Sequence, residues 1–107
     1  MVIKTVNKVI EKALEKGFAN VNGRMAQGWG YYGNLESKYR ATYENGILSL
    51  EHWGTEILNV DVVGRTIIAY YMESKSDRDA IVSTLDLLKV PYSKVSYRPS
   101  VGVGEIA

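Results

Sequence analysis

Residues 38–53 read KYRATYENGILSLEHW, and this stretch decides the fold. Tyr39, Ala41 and Tyr43 alternate with Lys38, Arg40, Thr42 and Glu44, the two-residue period of a half-buried strand. Asn45-Gly46 follows, and a type I′ turn needs positive φ at both of those central positions. Ile47–Trp53 returns as the partner strand, with Leu48 and Leu50 on one face. Beyond it Gly54 marks a bulge or turn, Glu56–Val62 reads as a third strand and Thr66–Met72 as a fourth, joined across Val63-Gly64-Arg65. The period does not choose which of Tyr70 and Tyr71 faces inward. Four consecutive strands with short connections make an antiparallel meander.

Helices flank the meander. Val2, Ile3, Val6, Val9, Ile10, Ala13 and Leu14 recur at spacings of three and four, predicting an amphipathic helix over residues 3–16. Gly17 then takes the left-handed position past its last turn, and Phe18 is placed to fold back onto the apolar face. In the run SKSDRD, residues 74–79, Ser76 reads as the N-cap of a second helix, receiving the N–H of Asp79, with Asp77 and Asp79 supplying negative charge. Ala80, Ile81, Thr84, Leu85 and Leu88 form its buried stripe to about Lys89, before Pro91. Tyr92–Tyr97 reads as a last short strand and residues 100–107 as a flexible tail. The order α-β-β-β-β-α-β predicts one α+β domain over residues 1–107, a two-layer structure with both helices on one face of the sheet. Lys38, Arg40, Glu51 and Asn59 would line the other face.

With 107 residues and no cysteine, the chain holds no disulfide, thiolate metal site or cysteine nucleophile. No apolar run approaches the ~20 residues that span a bilayer, and the charged opening residues are unlike a signal peptide. A cytoplasmic protein is expected. His52 is the single histidine and sits in a strand pattern between Glu51 and Trp53, so it reads as a sheet-face side chain. Asp77 and Asp79 are taken up by the helix start, and they lack the further oxygen ligands of a calcium loop. The reading is of a non-enzymatic protein without metal or cofactor.

Residues 19–35, ANVNGRMAQGWGYYGNL, show no period and hold four of the ten glycines, and they read as a loop. Gly28 to Gly33 formally match G-x-G-x-x-G, but a dinucleotide site needs a strand before and a helix after, and neither is predicted. Trp29, Tyr31 and Tyr32, with Arg24, instead have the composition of an interface on a glycine-hinged segment. Their plainer reading is a set of rings closing one edge of the core.

Lys4, Lys8, Lys12 and Lys16 recur every four residues on the first helix. Glu11 and Glu15 offset part of their mutual repulsion. Residues 1–24 carry five basic and two acidic side chains, so the net charge of +1 hides a basic N-terminal segment. Such a ridge suits an acidic protein surface or phosphates, against the plainer reading of a solvated helix face.

Trp53-Gly54-Thr55-Glu56-Ile57-Leu58-Asn59-Val60-Asp61, followed by Ser74-Lys75-Ser76-Asp77-Arg78-Asp79-Ala80-Ile81, resembles small domains of bacteriophage and mobile-element genomes. There a short meander leads into a Ser-x-Ser-Asp-Arg-Asp-Ala-Ile helix start. The resemblance covers about a third of the chain, carries no catalytic residues, and implies a protein that binds and blocks host machinery such as a CRISPR effector. The expected function is therefore inhibition of a host defence protein, with Arg24, Trp29, Tyr31, Tyr32, Lys8 and Lys12 as partner contacts. The alternatives are a nucleic-acid-binding module using Lys4, Lys8, Lys12, Lys16, Lys38 and Arg40, and a protein that sequesters a small ligand such as a cyclic nucleotide. Pairing of exposed sheet edges would also allow a homodimer.

Overall fold

The computed structural model describes residues 1–26, 32–92 and 100–102. Asn45 and Gly46 take φ of 53° and 81°, closing the hairpin between β2 (Tyr32–Glu44) and β3 (Ile47–His52) as their sequence requires. β4 (Thr55–Asp61) and β5 (Thr66–Met72) continue the antiparallel meander, α1 (Lys4–Lys16) precedes it and α2 (Lys75–Leu88) follows. A two-layer α+β fold results.

One further strand corrects the element order, and the strand after α2 lies further along the chain than predicted. β1 (Phe18–Ala26) occupies the first part of the predicted loop and pairs antiparallel with β2 from Phe18↔Thr42 out to Ala26↔Tyr32. β6 (Ser100–Gly102) lies in the predicted tail and pairs with β5. The sheet runs β1-β2-β3-β4-β5-β6, so β1 and β6 are its edges. The predicted strand at 92–97 lies, beyond Tyr92, outside the described residues.

Register gives one face to the core. Ala19, Ala41 and Leu50 stand in line across β1, β2 and β3, and Leu58 and Tyr70 continue the row into β4 and β5. All are buried beneath the helices with Ile10, Ile81 and Leu85. Fully burying such a side chain is worth roughly 1.5–3 kcal/mol. An irregularity between Asn59 and Val60 makes Ile68 the extra residue of β5, which turns it outward and brings Tyr70 rather than Tyr71 inside. Phe18 does not fold back on α1. It opens β1 on the outer face, 47% exposed, with the Arg40 guanidinium 5.1 Å from its ring.

The helix ends show how local signals are used. Gly17 has φ of 87° and donates its N–H to the Ala13 carbonyl. Ile3, the N-cap of α1, brings no side-chain cap, and its N–H is met instead by Ser83 Oγ of α2 at 2.9 Å. At α2 the N-cap is Ser74 and not Ser76: its Oγ accepts from Asp77 N at 3.2 Å. Ser74→Ala is expected to cost about 1 kcal/mol and Ser76→Ala under ~0.5 kcal/mol, as read from urea unfolding midpoints.

Candidate functional site

Where α1 crosses the β1 edge the cover is incomplete. A groove of about 360 Å³ remains there, with Val9, Ala19 and Val21 as its apolar floor and Lys4, Lys8 and Lys12 along its helix side. The cause is in the sequence. Val6, Val9, Ile10 and Ala13 turn toward the sheet, and the four-residue step of the lysines keeps them in a stripe beside Val9. Ala19 is too short to fill the space beneath. Lys4, Lys8 and Lys12 are exposed, and among the described residues no ion pair engages them, Glu11 and Glu15 included. Lys16, the fourth of the row, does not line the groove.

The other predicted contacts are distributed as follows. Lys8 and Lys12 stand together on the groove. Arg24 and Tyr32 lie in the paired backbones of β1 and β2, opposite Leu35 and Ala26 respectively, and so are strand residues. Trp29 and Tyr31 lie outside the described residues. Arg40 alternates with the buried Tyr39 and Ala41, which puts it on the sheet face opposite the helices. Lys38 does not join it there as the alternation predicts: it is the extra residue of a bulge opposite Val21, and its Nζ lies 5.6 Å from the ring of the core-facing Tyr39. Arg40 and the basic row of α1 therefore do not form one track, and Lys38 does not line the groove.

Sequence reading missed a second site. His52 is buried, with Nδ1 2.6 Å from Asp77 Oδ1, and its ring stacks on Tyr39 at a centroid distance of 4.7 Å. The carboxylate is an acceptor, so Nδ1 carries the proton; the other carboxylate oxygen accepts from Glu73 N at 2.9 Å. Among the described residues nothing else bonds to the imidazole, and no sealed side-chain nitrogen or oxygen lacks a partner, so Nε2 opens to space. A second cavity adjoins the pair, lined by Trp53, Thr55, Glu73, Ser74 and Ser76 besides the pair itself. Trp53 holds φ of 52° in the β3–β4 turn, a left-handed conformation uncommon for a bulky residue. The pair ties the end of β3 to the first turn of α2. Its members stand 25 positions apart, and neither motif nor period announces them.

No family model matches the chain, and no curated protein or solved structure matches it significantly. Among the described residues no cluster of His, Cys, Asp or Glu could hold a metal ion, and no helix is long and apolar enough to cross a membrane.

The Tyr39 phenol is pushed above its ordinary value of 10.0, first by burial and then by the negative charges of Asp77 and Asp79. A raised acid keeps its proton longer when folded, so its contribution to stability is intact below about pH 10 and is lost as pH rises further. Urea midpoints at pH 8 and pH 11 should fall less in Tyr39→Phe than in the native chain.

Proposed function

We propose that this chain is a non-enzymatic interaction protein that docks on a partner protein through the groove between α1 and β1, together with the aromatic segment that joins β1 to β2. The groove carries the reading: three lysines with no acidic partner among the described residues rim an apolar trough at the edge of the sheet. An apolar floor framed by charge of one sign supports specific association with an acidic surface. The resemblance to phage and mobile-element domains makes a host defence protein, a CRISPR nuclease first, the partner class to test. The chain would act there as an inhibitor in the host cytoplasm.

Phosphates would also be drawn to the lysine row, but the outward-facing Arg40 lies on the opposite side of the sheet from α1 and Lys38 does not line the groove, which argues against one continuous nucleic-acid track. The test is capture from host lysate on the immobilised native chain and on Lys8→Glu/Lys12→Glu, followed by nuclease assays with purified CRISPR effectors. A protein retained by the native chain, lost by the variant and inhibited on addition of the native chain supports the reading. Equal retention by both chains overturns it.

A further inference from the structure

We infer that the partner offers an extended acidic segment, which adds to β1 as a further strand of the sheet with its carboxylates on the lysine rim. This rests on the groove being the docking surface, and it specifies the shape and chemistry of what enters.

β1 is terminal in the sheet, and among the described residues its backbone pairs only with β2. The bond from Tyr43 N to Gly17 O fixes the phase of that ladder. Residues 17, 19 and 21 turn their backbone groups toward β2, so Phe18 and Asn20 turn theirs to the free side. A row of outward N–H and C=O groups is a template for an added strand, in which main-chain bonds supply affinity and alternate side chains supply specificity.

Charge and spacing select the strand. Every second side chain of an added strand would project toward α1, over Val9, Ala19 and Val21 and against Lys4, Lys8 and Lys12. Residues four apart on a helix rise about 6 Å. Residues two apart on a strand rise about 6.6 Å. An acidic residue at every second position can therefore meet successive lysines. A second copy of this chain is a poor occupant, because edge-to-edge pairing would set one lysine row beside another. The same charges that keep copies apart favour an acidic strand.

The probes are a fluorescein-labelled decapeptide of alternating Glu and Val, two N-methylated forms of it (amides of one alternate set or of the other), and a single-stranded oligodeoxynucleotide. The peptide is expected to bind the full-length chain, and amide exchange at Phe18 and Asn20 to slow at least tenfold on binding. One methylated form should lose at least tenfold in affinity and the other should bind like the parent, because an added strand uses one of its edges. Asn20→Pro, which removes an outward N–H that the sheet does not use, should lose a similar factor with its melting temperature retained. If both methylated forms bind like the parent, or exchange at Phe18 and Asn20 is unchanged with peptide bound, strand addition is overturned while docking through the groove stands. Failure of the parent peptide to bind also overturns it, and lysate capture then judges the docking surface separately. Competition by the oligonucleotide at equal or higher affinity overturns both.

Discussion

Lys8→Glu/Lys12→Glu is expected to bind the captured partner at least a hundredfold more weakly than the native chain, with little change in melting temperature. The two side chains stand on the rim of the groove, exposed, with no acidic neighbour in ion-pair contact among the described residues. Reversing both replaces two attractions by two repulsions, and like-charge contact at an interface costs several kcal/mol, where about 1.4 kcal/mol is a factor of ten. Stability should move by under ~0.5 kcal/mol, because the replaced atoms lie in water and the row repels itself in the native chain. The native complex should weaken as salt rises and the variant's residual binding should not. Titration calorimetry at two salt concentrations measures both effects. Lys16→Glu is the internal control: it removes the same charge from the same helix but from outside the groove, and its effect should be the smallest of the row.

The second large effect is on stability. His52→Ala is expected to cost about 3 kcal/mol, since it leaves the Asp77 carboxylate buried beside a vacated ring and removes the stack on Tyr39. For a domain of this size that lowers the melting temperature on the order of 15 °C. Asp77→Ala should cost a comparable amount, because Asp77 also accepts from Glu73 N. The double variant should cost clearly less than the sum, with a coupling of roughly 1–3 kcal/mol, since each single change strands the other partner. Simple additivity in urea unfolding would show that the two side chains act independently. Partner binding in these variants, measured below their melting temperatures, should stay within about twofold of native, because the pair lines a cavity separate from the groove.

The parts of this fold that are legible in the sequence are those whose cause is local. Asn45-Gly46 dictates its own turn, Gly17 its helix end, and Tyr39/Ala41/Tyr43 their face. β1 is less legible because its inward residues, Ala19 and Val21, are small and few. Gly23 has the composition of a loop residue, yet a Cβ there would stand 3.1 Å from Lys38 Cδ and 3.4 Å from the Trp53 ring. It marks close packing across strands. The run SKSDRD contains two overlapping cap patterns two residues apart, and no local preference separates them. Asp77 decides it, because the register that caps with Ser74 also delivers its carboxylate to His52. The lysine row is plain in the sequence, but a groove needs a second wall, and Ala19 and Val21 supply one only when β1 is a strand.

Hydrogen exchange on the chain, free and bound to the captured partner, locates the docking surface without any substitution. Slowing is expected at Phe18, Asn20 and the residues lining the groove on α1, with the outer-face amides of β4 and β5 unchanged. Slowing confined to that outer face, with β1 and α1 exchanging as in the free chain, would contradict a partner seated between α1 and the edge of the sheet.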